Sequence, residues 1–261
     1  MNPVGKKNIE WAKLTTNAIT GCNGPEDPTT QKCERCGFCY AERISRRFKD
    51  VHDYPKPDPF VPAFHPERLE QIKKRRKPTI YFFGSMGDWL DRDVKPEWRQ
   101  QCLQVMAEKP MHVFITLTKQ YRNLGKIAED SPGGVIPRNV WVGISVNTGR
   151  HIWGIDELRK VDATVRLISF EPLLEDLADS VDLEGVDWII IGGQSRQNGI
   201  DHLPAVPAFT PKKEWVQDFV YGCALHLPVF LKPNLGNYVG KRWFPGRIEQ
   251  MPDIEQYAPE A

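Results

Sequence analysis

Four of the six cysteines in this 261-residue chain lie between Cys22 and Cys39, within the stretch GCNGPEDPTTQKCERCGFCYAER from Gly21 to Arg43. Cys33, Cys36 and Cys39 follow one another at three-residue intervals, and Cys22 precedes them across a loop that opens Asn23-Gly24-Pro25-Glu26-Asp27-Pro28. Such a loop excludes regular structure and lets the chain fold back, so that Cys22 can approach the other three. Thiols two residues apart can grip one metal centre from a single turn of backbone. A third completes a soft, anionic pocket suited to zinc or to an iron-sulfur cluster.

Two other uses of cysteine compete with metal binding. Disulfides need an oxidising compartment, but Met1 to Glu10 holds no apolar run of a secretory leader. The chain is therefore expected to stay in a reducing cytoplasm, where disulfides do not persist. Ordinary buried thiols would be scattered, as Cys102 and Cys223 are. A closed site of Cys22, Cys33, Cys36 and Cys39 on zinc would be structural, making the chain an interaction module without catalysis. Three thiolates on a four-iron cluster would instead leave one iron open for chemistry.

The elements that must carry this loop are legible as an alternation. Short apolar or β-branched runs recur at Asn17 to Thr20, Thr79 to Phe83, Val113 to Thr116, Val140 to Ser145, Val165 to Phe170, Trp188 to Ile191 and Val229 to Leu231. Each has strand length. Between them lie segments of helical period, such as Pro96 to Glu108, with Trp98, Cys102, Val105 and Met106 on one face, and Ile152 to Val161. Alternation of this kind predicts βαβ units and a parallel sheet, with the site at the carboxyl ends of the strands. Those ends carry Cys22; then Gly84, Ser85 and Asp88; Thr118 and Lys119; Ser145 and Asn147; Ser169 and Glu171; Gly192 to Ser195; and Lys232. Taken singly, each has an ordinary reading: Gly192-Gly193 as a tight turn, Asp88 as a helix cap, Glu171 as a solvated loop residue. Their joint placement beside the cysteine loop is what points to a site.

Composition narrows the partners. Lys and Arg number 35 against 34 Asp and Glu, a formal net charge of +1, which exerts no general pull on nucleic acid or an anionic membrane. No stretch approaches the roughly eighteen apolar residues of a membrane span. The basic runs Arg43 to Lys49 and Lys73 to Lys77 read as solvated helix faces, the first close enough to the cysteine loop for a phosphate contact. His65, His151 and His202 lack ligand spacing and receive no role. A single domain spans residues 1–261, and the Pro-, Glu- and Gln-rich stretch from Trp243 reads as a surface extension.

Cys36-Gly37-Phe38-Cys39 resembles the end of the radical S-adenosylmethionine (radical SAM) motif. Beyond it, Ile9-Glu10-Trp11, Asn17 to Cys22, Cys36 to Glu42, Gly84 to Asp88, Leu117-Thr118-Lys119, Trp141 to Ser145, Phe170 to Leu174, Ile191-Gly192-Gly193 and Pro228 to Lys232 resemble the landmarks of an uncharacterised bacteriophage and prophage family. That family has a three-cysteine motif and is itself similar to radical SAM proteins. The resemblance implies an α/β fold, a full or partial (β/α) TIM-like barrel. It also implies a 4Fe-4S cluster whose free iron chelates S-adenosylmethionine (SAM), reductive cleavage of SAM to a 5′-deoxyadenosyl radical, and hydrogen abstraction from a substrate.

Matching Gly21-Cys22 to the family's first cysteine implies Cys22, Cys36 and Cys39 as cluster ligands, with Cys33 a spare or fourth thiol. Gly84 to Asp88 stands where radical SAM proteins use a glycine-rich segment with an acidic residue for the SAM amino group, here with Ser85 and Met86 intervening. Phe38, Ser145 and Glu171 complete the implied cofactor-binding set. An electron donor such as flavodoxin or ferredoxin, and a nucleotide or nucleic acid as substrate, follow from the same resemblance.

Overall fold

The computed structural model describes residues 2–3, 9–51, 54–236 and 250–252. The chain opens with β1 (Asn2–Pro3), β2 (Leu14–Thr16), β3 (Ile19–Thr20), α1 (Tyr40–Arg47), β4 (Ala63–Phe64) and α2 (Leu69–Lys74). From there strands and helices follow as β5 (Ile80–Phe83), α3 (Pro96–Ala107), β6 (Val113–Thr118), α4 (Lys126–Glu129), β7 (Val140–Ser145), α5 (Gly154–Arg159), β8 (Arg166–Phe170), β9 (Trp188–Ile191), α6 (Lys213–Asp218) and β10 (Val229–Leu231).

Eight strands form the main sheet in the order β1-β2-β5-β6-β7-β8-β9-β10; β1 pairs antiparallel, and the remaining seven are parallel. Spatial order therefore follows chain order throughout. In a doubly wound sheet the order reverses midway and helices cover both faces. Here it never reverses, so successive crossovers lie on one face and the sheet curls into a half-barrel. No ladder among the described residues joins β10 back to β2.

Residue alternation assigns the two faces of the sheet. Tyr81, Phe114, Val140, Val142, Ile168, Ile189 and Val229 pack outward beneath the helices, in the cluster that also holds Cys102, Met106, Ile155 and Leu158. Phe82, Ile115, Trp141, Leu167, Trp188, Ile190 and Phe230 point inward. Trp11 enters this interior and lies 4.7 Å from Phe82 and 6.2 Å from Trp188, ring centre to ring centre. Among the described residues, aromatic side chains thus pack the inner face below the carboxyl ends of the strands.

Two expectations change, and a third falls mostly outside the described residues. The first parallel strand is Leu14–Thr16, not Asn17 to Thr20, because Ile19–Thr20 leaves the sheet to pair with Ala63–Phe64. Arg43 and Arg46 do not form a solvated face: Arg43 is buried and donates to the carbonyls of Gly37 (3.2 Å) and Pro204 (2.6 Å), and Arg46 donates to Glu42 (2.7 Å). Most of the stretch from Trp243 lies outside the described residues. Within it, Gln250 accepts a hydrogen bond from Trp188 Nε1 (2.9 Å) and Met251 packs on the interior cluster. Among the described residues, no helix is long and apolar enough to cross a membrane.

Candidate metal and cofactor site

The cysteine loop leaves the sheet through Gly21. Its φ of +83° is left-handed, and a Cβ there would stand 2.2 Å from the Val61 carbonyl oxygen, so only glycine fits. The Gly21 N–H donates to Met86 O (2.9 Å), its carbonyl accepts from the Asp88 N–H (3.1 Å), and the Cys22 N–H donates to Phe60 O (2.9 Å). Cys22 is thereby stitched to the turn after β5. At the far end of the loop Cys39 caps α1, its Sγ accepting from the Glu42 N–H at 3.5 Å, and Cys22 Sγ accepts from the Gly24 N–H at 3.1 Å.

The thiols report on one another. Burial raises the Cys22 thiol, and Asp88, Asp91 and Cys36 push the same way. Burial and then Cys36 push Cys39 up to about 11, with the Lys119 ammonium opposing. Cys33 is raised chiefly by burial, with Arg92, Asp91, Glu26 and Asp93 also acting on it. Cys36 thus acts on both Cys22 and Cys39, and Asp91 on both Cys22 and Cys33. Among the described residues no three His, Cys, Asp or Glu side chains are gathered tightly enough to grip a single ion.

A charged brace spans the loop. Arg35, between Cys33 and Cys36, donates to the Cys22 carbonyl (Nε, 3.0 Å) and to Glu42 Oε1 (Nη1, 3.1 Å), and pairs with Asp58 at 2.8 Å. Asp58 in turn accepts from the Phe60 N–H (3.1 Å), next to the carbonyl that receives Cys22. One guanidinium thus ties Cys22 to the helix that Cys39 caps. On the other side Asp91 accepts from Asn23 through both its backbone N–H (2.7 Å) and its side chain (2.9 Å). Gln120 donates to Gly24 O (2.8 Å).

Gly84, Ser85 and Asp88 lie where the strand pattern placed them, in the turn after β5. Asn17 shapes that turn: its Oδ1 accepts from the Met86 N–H (2.8 Å) and the Ser85 hydroxyl (3.1 Å). Ser85 O receives the Tyr40 hydroxyl at 2.5 Å, joining the turn to the residue after Cys39. Asp88 is buried and accepts from the Thr118 hydroxyl (2.8 Å) and from the Lys119 (2.9 Å) and Leu90 (3.1 Å) N–H groups. Burial is the largest influence on this carboxyl and lifts it to about 6 despite those donors.

Ser145 ends β7, and its carbonyl accepts the Tyr121 hydroxyl (2.6 Å); that phenol is raised by burial and by Cys36 and Asp88. Glu171 follows β8 and pairs with Lys232 after β10, while Glu10 stands 3.6 Å from the same ammonium. Phe38 and Cys36 line a cleft of about 230 Å³ with Arg35, Arg150 and His151. The cysteine segment thus meets the β5 turn through Tyr40 and Ser85, the end of β6 through Gly24 and Gln120, and the segment after β9 through Phe38 and Gln197.

A family model described as a protein of unknown function, DUF5131, matches residues 6–243. The chain belongs to the DUF5131 family. Among curated proteins none matches its sequence. In three dimensions the DUF5131 chain is similar to spore photoproduct lyase. A complex of that lyase with dinucleoside spore photoproduct superposes with a TM-score of 0.53 at 12% identity, covering 85% of this chain and 77% of the lyase. A cysteine-to-alanine mutant with the same ligand gives 0.54 at 11% identity, covering 85% and 77%. A cysteine-to-serine mutant gives 0.52 at 13% identity, covering 89% and 79%. At such identities the likeness establishes the shared fold.

Several residues of the DUF5131 site carry no signal in the sequence. Asn17, Arg35, Asp91 and Gln120 act across the fold, and their types are common in any loop. Lys232 was legible from its place after the last apolar run and Glu10 as part of Ile9-Glu10-Trp11, but not their approach to one another.

Proposed function

We propose that this chain is an iron-sulfur enzyme of radical SAM type, with Cys22, Cys36 and Cys39 holding a 4Fe-4S cluster. The observation that carries the proposal is the Arg35 brace, which ties the Cys22 carbonyl to α1, the helix that Cys39 caps, and so draws the two ends of the cysteine loop together. Their chemistry fits the cluster. Backbone N–H groups already aim at two of the sulfurs, an arrangement that stabilises thiolate and cluster charge, and Lys119 and the start of α1 add positive potential. A four-iron cube is wide, so its thiolates need not converge on one point as zinc ligands must.

When bound, the cluster and SAM supply reductive radical chemistry. The protein's own residues bind, orient and exclude water. Gly84, Ser85 and Asp88 flank the place for SAM, with Ser145 and Phe38 at its edges. Asn17 and Tyr40 fix the carbonyl-bearing turn on which that place depends. The raised Cys22 and Cys39 thiols stay protonated at neutral pH in the metal-free protein, so loading must release protons there. The aromatic floor of Trp11, Trp141 and Trp188 shields the site from below.

A nucleotide or nucleic acid is the proposed substrate class, supported by the shared fold with a lyase solved on a dinucleoside photoproduct. A flavodoxin or ferredoxin is the proposed electron source, the cytoplasm the proposed location, and a bacteriophage or prophage the proposed setting.

Anaerobic purification tests the reading directly. Brown protein with about four irons per chain, forming 5′-deoxyadenosine from SAM and dithionite, is the expected result. Colourless protein carrying zinc would end it.

A further inference from the structure

α1 is seated unlike the other helices. Each of α2 to α6 places at least one side chain in the outer apolar cluster, whereas none from α1 enters either cluster among the described residues. The buried side chains of α1 are Ala41, Glu42, Arg43 and Ser45. A helix without an apolar stripe must be placed chiefly by polar contacts, and with it the Cys36-Gly37-Phe38-Cys39 turn from which it starts. Arg35 and Arg46, on Glu42 and Asp58, supply some of those contacts.

The segment after β9 supplies the rest. It folds back on itself as a hairpin, Gln194 paired with Phe209, Gln197 with Val206 and Ile200 with Leu203. This hairpin meets the α1 segment at three places. Gln197 Nε2 donates to Phe38 O (2.8 Å), Arg43 Nη2 donates to Pro204 O (2.6 Å) and to Gly37 O (3.2 Å), and Lys49 stands 3.7 Å from Asp201. Gly37 and Phe38 are the two residues between Cys36 and Cys39. Both of their carbonyls are therefore held, one by the hairpin directly and the other through a guanidinium that the hairpin grips.

Stability is a poor account of this contact. Arg43 is 5% exposed, its acceptors are neutral carbonyls, and among the described residues it forms no ion pair and its Nε has no hydrogen-bond partner. Burying a guanidinium on such terms is costly, and an apolar side chain would seat the helix at lower cost. We propose that the hairpin of residues 194–209 is a strap on the metal-binding turn, with Gln197 and Arg43 as the positioning residues that hold Cys36 and Cys39 at their mutual spacing. The inference rests on the reading of Cys36 and Cys39 as cluster ligands and names what keeps them in place. Outer contacts that orient metal ligands carry about 10–100-fold in metal affinity.

The test compares wild type, Gln197→Met and Arg43→Met, first by hydrogen exchange of the reduced, metal-free chain read by mass spectrometry. The Cys39 N–H donates to Cys36 O (2.9 Å), so exchange over residues 36–47 reports opening of the turn and its helix. Exchange of a protected amide needs local opening, and a lost contact speeds it by the factor which that contact contributed to the closed state. A neutral hydrogen bond corresponds to about fivefold, and one to a charged group to about tenfold or more. Residues 36–47 should therefore exchange about fivefold faster in Gln197→Met and about tenfold or more faster in Arg43→Met, with α3 at its wild-type rate. A wild-type rate over residues 36–47 in either variant would overturn the strap, and α3 rising in step would overturn it in favour of a general loosening. Should Arg43→Met fail to fold, Gln197→Met decides alone. After anaerobic loading the variants should bind iron about 10–100-fold more weakly and give a changed electron paramagnetic resonance signal from the reduced cluster. Iron affinity and signal both at wild-type values would overturn the positioning role. Wild type without iron would end the radical SAM reading, while exchange still decides the strap, so the two failures are distinguishable.

Discussion

Replacing Arg35 by methionine removes the guanidinium that joins Cys22 to α1 but keeps an aliphatic stem over the Phe60 ring, where the guanidinium carbon now lies 5.4 Å from the ring centre. The cost follows leg by leg. Hydrogen bonds to charged groups contribute about 1.5–3 kcal/mol when buried, and exposed ion pairs about 0–1 kcal/mol. Arg35 is 23% exposed and Asp58 is 35% exposed, so that leg falls in the weaker class. Glu42 is only 3% exposed, yet it keeps Arg46 at 2.7 Å, so losing Arg35 leaves it partnered and costs about 1 kcal/mol. The Cys22 carbonyl loses its charged donor, for about another 1–2 kcal/mol. Together these come to about 3 kcal/mol, or about 6–12 °C in melting temperature for a chain of this size. Thermal denaturation of metal-free protein, followed by circular dichroism, measures it, and iron retained after anaerobic desalting should fall in parallel. Arg35→Lys should recover little, since one ammonium cannot serve three acceptors that lie in different directions. A methionine variant melting within about 2 °C of wild type, where the predicted loss is several times larger, and holding its iron would refute the brace.

Single alanine replacements of the four loop cysteines should separate them by iron content: Cys22, Cys36 and Cys39 variants lose the cluster, and Cys33→Ala keeps it. Loss in Cys33→Ala together with retention in Cys22→Ala would reverse the ligand assignment. Asp88 makes a pH prediction for the metal-free chain. Its carboxyl, raised from 3.8 to about 6, binds its proton more tightly in the folded than in the unfolded state. The associated stability is therefore complete below about pH 4 and is lost as pH rises through about 6, by up to about 3 kcal/mol. Urea melts at pH 5 and pH 8 should differ by about 1.4 kcal/mol from this group in wild type, and Asp88→Asn should flatten the difference while weakening SAM binding at full iron content. An unchanged slope in the variant would mean that another group titrates.

The strands of this fold were legible where apolar residues crowd both faces, as in Trp188–Ile191, because a strand covered by helices outside and aromatics inside has no polar side to show. The first parallel strand was misplaced for the complementary reason. Leu14–Thr16 is three residues long and largely polar, while the neighbouring Ile19–Thr20 carries the more apolar signal yet pairs elsewhere. Boundaries set by pairing partners rather than by local pattern escape a reading of one chain.

A similar division runs through the site. Cysteines announce themselves because few other roles place thiols at such intervals, so donor chemistry was readable before geometry. Positioning was not, since it depends on contacts between distant segments: Asn17 reaches Ser85 and Asn23 reaches Asp91, each pair separated by 68 residues. Asn, Asp, Gln and Arg at such positions look like ordinary loop residues. What distinguishes Arg35 is that its acceptors come from the segment of Cys22, from α1 and from Asp58, and only the folded chain brings those three together. The metal-binding residue types can therefore be read from spacing, whereas the residues that would hold an open cluster in place must be sought among charged side chains that cross between the thiol-bearing segments.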